Sequence, residues 1–156
     1  MARSDLHTVE RSLERLFRLA MGRRTLARQS DAVGAEVSRA GYAVLRTAGD
    51  EGPTPMSVLA RRCAMDPAVA ARQVGSLQRA GLLEITVDPS DGRVKLVELT
   101  EHGAEVLAGI VELRTAYLAR VLRGWDRNER KTLVELIDRL VGDLQSVPFG
   151  EEEENQ

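Results

Sequence analysis

Aromatic residues are nearly missing from this chain of 156: one tryptophan, two tyrosines and two phenylalanines make up 3% of it. Aliphatic residues must fill the core, and an aromatic ring on an apolar face is packing before it is a binding surface. Cysteine is scarcer still. Cys63 stands alone, which excludes an internal disulfide and agrees with a reducing compartment. The two histidines, His7 and His102, are far apart, and neither has a partner at the helical spacing of a metal site. There is no Gly-rich phosphate loop, no Gly-x-Ser-x-Gly elbow and no acid-base pair of carboxylates. The expectation is a protein that is not an enzyme and that uses no cofactor or metal. Long apolar runs are absent too: none approaches the roughly 18 residues of a membrane-spanning helix. Met1 to Asp5 leads straight into a charged periodic segment with no signal-peptide core, so a cytoplasmic protein without a membrane partner is expected.

Excess charge of one sign is the last thing missing, for 22 basic residues meet 24 acidic ones. The balance conceals a segregation. Glu151 to Glu154 follow Pro148 and Gly150 and read as a solvated, disordered tail, which leaves the body slightly basic. Residues 1–30 hold seven arginines against three acids, and in 61–83 Arg61, Arg62, Arg72 and Arg79 face only Asp66. Local charge favours an anionic partner, although solvated helix faces account for the same pattern.

What is present is periodic. Leu6, Val9, Leu13, Leu16, Phe17 and Ala20 follow the three-four spacing of one helical face. A second helix is expected over about Glu36 to Ala48, stopping before Gly49-Asp50-Glu51-Gly52-Pro53, which reads as a loop. Met56 to Arg62 makes a short helix capped by Thr54 or Ser57. A further helix starts at Pro67 with Asp66 as N-cap and runs to about Ala80, where Gly81 ends it. Leu82 to Val87 and the stretch after Arg93 are the two strands of a hairpin, joined by a turn rich in Asp, Pro and Gly. Thr100 caps a long helix to about Leu122, which carries two apolar rows, and Gly124 ends it. Asp126 and Glu129 have the form of a capping box for a last helix bearing Leu133, Leu136, Ile137, Leu140, Val141 and Leu144.

Two short helices joined by the tight turn Cys63-Ala64-Met65-Asp66, followed by a hairpin, form a winged helix-turn-helix. Three local patterns stand in order: Leu59-Ala60; Leu77-Gln78-Arg79-Ala80-Gly81-Leu82-Leu83; and Asp88-x-x-Asp91-x-Arg93 through Leu99-Thr100-x-x-Gly103. With them, the chain resembles the MarR family of bacterial transcription regulators over roughly residues 5–147. The resemblance implies a mainly α fold with a small β-hairpin wing and about six helices. It implies a single domain over 1–147, with a DNA-binding lobe at about 53–100 and dimerisation helices at about 5–30 and 104–147; residues 148–156 form the acidic tail. It further implies a homodimer on double-stranded, pseudo-palindromic DNA, acting as a repressor that a small aromatic or phenolic effector releases. The wide apolar faces of the terminal helices agree with a two-fold dimer, and a monomeric helical bundle would explain the same stripes.

On the reading helix, Ala68 and Ala71 offer only methyl groups for a thymine methyl, where family members often carry Ser or Thr. Base reading therefore falls on Arg72, Gln73 and Ser76: arginine suits guanine O6 and N7, and glutamine suits adenine N6 and N7. A solvated helix face is the alternative for Arg72 and Gln73. Arg93 at the wing tip suits the narrow minor groove, and the family pattern has Asp91 holding its guanidinium. Lys95 is placed for phosphate. Ser57 and Thr54 are candidates for phosphate contacts, with plain capping as the other reading. Phe17, Tyr42, Arg46 and Tyr117 could line an effector pocket, with core packing the default. Cys63 reads as a packed thiol or, alternatively, an oxidant sensor. A winged-helix module that binds protein rather than DNA stays open, because the reading helix is rich in alanine.

Overall fold

The computed structural model describes residues 3–20 and 34–147. Six helices and three short strands occur among them: α1 (Arg3–Ala20), α2 (Arg39–Glu51), β1 (Thr54–Pro55), α3 (Met56–Arg62), α4 (Pro67–Arg79), β2 (Leu83–Val87), β3 (Lys95–Leu99), α5 (Glu101–Val121) and α6 (Arg127–Ser146). The fold is mainly α with a small antiparallel wing, as expected. The expected continuation of the first helix beyond residue 20 and the acidic tail over 148–156 lie outside the described residues. The chain divides into two units, 1–113 and 114–156.

In the first unit, α2, α3, α4, the strands and the start of α5 close on one aliphatic core. Val44, Leu45, Leu59, Val74, Leu82, Leu83, Val97 and Ile110 are essentially inaccessible, each worth about 1.5–3 kcal/mol of apolar burial. Four aliphatic residues of that core come from the α3–α4 pair and the junction that follows it, so the same burial that stabilises the unit fixes the angle of the helix-turn-helix. The turn itself is set by backbone hydrogen bonds. Met65 N–H donates to the Ala60 carbonyl at 2.9 Å and Ala64 N–H to that of Arg61 at 3.1 Å, while Ala64 sits in the left-handed region at φ 50°. This is the Schellman closure of α3. α4 ends the same way with a glycine: Gly81 has φ 72°, and Leu82 N–H donates to Leu77 O at 2.9 Å.

Three sequence expectations change. The second helix begins three residues later than expected, at Arg39, where the Ser38 hydroxyl accepts the Gly41 N–H at 2.9 Å. It also runs through Gly49, Asp50 and Glu51, stopping at Gly52 with φ 73°. Gly49 is a close approach and not a stop signal, since a Cβ there would lie 2.6 Å from Leu107 Cδ2. The wing gains a third strand in the order β1-β3-β2, with Thr54 opposite Val97 and Pro55 opposite Leu96. A two-residue strand has no periodicity to read, and Pro55 is tolerated because the strand lies at the sheet edge. The cap of α3 is Pro55, with no side-chain cap bond, so neither Thr54 nor Ser57 caps it.

At the start of α5 the Thr100 hydroxyl donates to Gly81 O at 2.6 Å and accepts the Gly103 N–H at 2.9 Å. It thus caps α5 and ties it to the end of α4. In the second unit, α6 opens on the expected capping box: Asp126 accepts Glu129 N–H at 2.9 Å and Glu129 accepts Asp126 N–H at 2.7 Å. No residue of α6 is buried, and Val134, Leu136, Ile137, Val141 and Leu144 are all exposed.

Candidate nucleic-acid interface

α4 is a helix because Asp66 caps it and Pro67 occupies its first turn; Asp66 Oδ1 accepts the Ala68 N–H at 2.8 Å and that of Val69 at 3.4 Å. Ala70, Val74 and Leu77 are its buried stripe. The opposite face carries Ala68, Ala71, Arg72, Ser76 and Arg79, all exposed. Four of the five expected α4 residues (Ala68, Ala71, Arg72, Ser76) thus share one outward face. Arg79 was legible in the sequence as a charge, and its spacing of seven residues from Arg72 puts it two turns along the same side. Its guanidinium lies back along the helix, with Nη1 3.6 Å from where a Cβ on Gly75 would sit.

Gln73 is different. It is half-buried, and its Oε1 accepts a hydrogen bond of 2.9 Å from the Ser38 hydroxyl at the start of α2. Bidentate pairing with adenine would have to share that oxygen, which keeps a second lone pair but is turned toward Ser38. Nothing in the sequence flagged Ser38, whose contact with Gln73 spans 35 residues.

The wing is built from two Asx turns. Asp88 accepts from Ser90 N–H at 2.7 Å and from Ser90 Oγ at 2.6 Å. The Ser90 hydroxyl, and then its N–H, hold the Asp88 carboxyl below its ordinary pKa, and the small opposing effect of desolvation does not reverse this. Asp91 accepts the backbone N–H of Arg93 at 3.0 Å, and the Asp88 N–H donates to Val94 O at 2.9 Å. The expected role of Asp91 is therefore corrected: it holds Arg93 by the main chain, with no ion pair to the guanidinium. Arg93 and Lys95 are exposed.

Thr54 is a second correction. It is only 4% exposed, and its hydroxyl donates to Gly52 O at 2.8 Å, so a strand position in the core removes it from any surface contact. Ser57 is exposed in the first turn of α3. Pairing separates the cations. Arg62 meets Glu51 at 3.6 Å and Arg46 meets Asp50 at 2.9 Å; among the described residues Arg72, Arg79, Arg93 and Lys95 have no carboxylate at ion-pair distance.

The remaining candidates are scattered. Tyr42 packs against the core of the first unit, whereas Phe17 and Tyr117 are exposed on α1 and α5. Cys63 is half-buried against α2, its Sγ 3.3 Å from Thr47 Oγ1 and 3.7 Å from Ala43 O. No group of three or more His, Cys, Asp or Glu among the described residues could hold a metal ion, and no described helix is long and apolar enough to cross a membrane.

A winged helix-turn-helix with this wing geometry matches a known family. The MarR family model aligns to residues 36–94, which span α2 to the wing tip. YxaD of Bacillus subtilis, an uncharacterized HTH-type transcriptional regulator, is 30% identical over 112 residues, 72% of this chain and 78% of its own. The chain belongs to the MarR family. The HTH-type transcriptional repressor NicR of Pseudomonas putida is 25% identical over 86% of this chain and 85% of its own length. The crystal structure of the PcaV transcriptional regulator from Streptomyces coelicolor, in complex with its natural ligand, superposes with a TM-score of 0.67 at 27% identity, covering 91% of this chain and 98% of that one. These MarR-type relatives and folds are transcription regulators and not enzymes, and the face formed by α4 and the wing belongs to a DNA-binding regulator.

Proposed function

We propose that the protein is a homodimeric, sequence-specific repressor of the cytoplasm that holds a pseudo-palindromic operator and is released by a small aromatic or phenolic effector. The observation that carries this reading is the set of cations on α4 and the wing, Arg72, Arg93 and Lys95, that have no carboxylate partner among the described residues and stand on elements whose other faces form the core. α4 enters the major groove, where Arg72 and Ser76 meet base edges and Ala68 and Ala71 meet thymine methyls. Arg93 reaches the minor groove, Lys95 a phosphate, and Ser57 adds a phosphate contact at the start of α3. Asp91 acts indirectly, by shaping the turn that presents Arg93.

Two protomers are supported by the apolar residues left in water: Leu6, Val9, Leu16 and Phe17 on α1, and Leu136, Ile137, Val141 and Leu144 on α6. Apolar stripes this long are covered most simply by a two-fold copy. Repression is supported by the likeness to NicR and an effector by the likeness to PcaV. Release then follows as a population shift: an effector that prefers the protomer arrangement unsuited to DNA lowers affinity by its differential binding and by no more. Binding to the intergenic DNA upstream of its own gene, measured across a salt series with and without candidate phenolic acids, tests the proposal. A second reading, a winged-helix module that binds protein, draws on the alanine-rich face of α4; absence of any preference over random DNA would favour it.

A further inference from the structure

The Ser38 hydroxyl makes two bonds at once. Its oxygen accepts the Gly41 N–H at 2.9 Å as the cap of α2, and its proton goes to Gln73 Oε1, 2.9 Å away on α4. The space around the pair is fitted to it. A Cβ on Gly41 would lie 3.1 Å from Ser38 Oγ and 3.6 Å from Gln73 Oε1, so glycine at 41 leaves room for the bond. A hydroxyl has one proton to give, and the capping bond already occupies a lone pair. The Gln73 amide is held with its oxygen turned toward Ser38; one of that oxygen's two lone pairs is taken, and the end of the amide directed away from Ser38 is the NH2 group with its two donors. Gln73 follows Arg72 in sequence and precedes Ser76 by one turn, at the rim of the outward face of α4.

We propose that Ser38 is a specificity-determining positioning residue: by drawing the Gln73 carbonyl oxygen toward α2 it leaves the NH2 group to face the bases and makes Gln73 a reader of hydrogen-bond acceptors. Guanine, with O6 and N7, and thymine, with O4, meet that requirement; adenine loses its advantage because its bidentate recognition needs a donor and an acceptor from one amide. The inference rests on the reading of α4 as the base-reading helix. It also explains why a serine far from the reading helix in sequence bears on what that helix selects.

The test exploits the difference between a cap that can donate and one that cannot. Aspartate caps a helix about as well as serine, but its carboxylate has no proton, so in Ser38→Asp it accepts from Gln73 Nε2 and turns the amide over. Ser38→Thr keeps the hydroxyl. The full-length wild type, these two variants and Gln73→Ala each select from DNA duplexes randomised over about two helical turns, at one salt concentration. The readout is base frequency at each position. The added charge of Ser38→Asp weakens all sequences alike and leaves those frequencies unmoved.

Wild type and Ser38→Thr should select guanine or thymine at one symmetry-related pair of positions. Gln73→Ala should flatten that preference, and Ser38→Asp should move it to adenine or cytosine, each change being roughly tenfold. If Ser38→Asp selects the same bases as wild type, or Gln73→Ala flattens nothing, the inference is overturned while specific DNA binding stands. If wild type selects no sequence, the proposed function falls and takes this inference with it.

Discussion

Adding one methyl group to Gly103 weighs two effects of opposite sign. Gly103 lies in the first turn of α5, and helix propensity alone favours Gly103→Ala by about 1 kcal/mol. Packing opposes it. A Cβ at 103 would overlap the Leu82 carbonyl oxygen and lie 2.8 Å from the carbonyl carbon, both backbone atoms that no rotamer change can move aside. Relief must come from separating α5 from the α4–β2 junction, which breaks the bonds Thr100 N–H to Leu82 O, 3.2 Å, and Thr100 Oγ1 to Gly81 O, 2.6 Å. Two hydrogen bonds at about 1 kcal/mol each and overpacking of about 1–3 kcal/mol exceed the propensity gain. The net loss is about 2–4 kcal/mol. Gly75→Ala is the control, since its Cβ meets only the movable end of Arg79 at 3.6 Å; it should stabilise the fold by up to about 1 kcal/mol. Urea unfolding followed by circular dichroism, at one fixed protein concentration because a dimer's stability depends on it, reads both. A Gly103→Ala protein as stable as wild type would refute the packing argument.

Arg93→Ala should weaken operator binding by about 1–3 kcal/mol and leave the unfolding midpoint unchanged, because the exposed side chain makes no ion pair among the described residues; titration of a labelled operator at constant salt checks this, and equal affinities would remove Arg93 from the interface. Ile137→Asp should convert a dimer to monomer in sedimentation at low micromolar concentration, since Ile137 is 45% exposed in the single chain and a carboxylate buried between copies would be unpaired; an unchanged dimer would exclude that face. Asp88 should titrate below an ordinary aspartate in a carboxyl-resolved NMR titration, and Ser90→Ala should raise its midpoint. Its folded pKa is depressed, so the stabilisation of the wing turn is complete above the unfolded value and is lost as pH falls through the lower folded one; a midpoint indifferent to Ser90→Ala would show that the hydroxyl is not the cause.

The elements that the sequence displays well are those with local chemistry of their own. Asp66 before Pro67, Thr100 three residues before Gly103 and Asp126 three residues before Glu129 each announce a helix start, and each does so in the structure through the expected cap bond. Gly81 after Leu77 likewise announces a stop, and its φ of 72° agrees. What sequence concealed depends on distant partners. Gly49 resembles a stop signal until Leu107 is seen against it, and Thr54 resembles a surface cap until β1 is found paired with β3. Gln73 has the chemistry of a base reader, but its oxygen is turned toward Ser38 at the start of another helix. Gly103 is the instructive middle case: its place in a recurring pattern was visible, whereas the reason, contact with the Leu82 backbone, was not.

The function proposed for α4 and the wing is recognition of a particular DNA sequence. The direct measurement is the affinity of the full-length protein for the intergenic segment upstream of its own gene and for a shuffled duplex of equal length and composition, each over a series of salt concentrations. Two protomers per site, a steep fall of log K with log salt for both duplexes, and a preference for the natural segment that persists at every salt concentration are expected. Equal affinity for the two duplexes, with the salt dependence alone remaining, would contradict the proposed function.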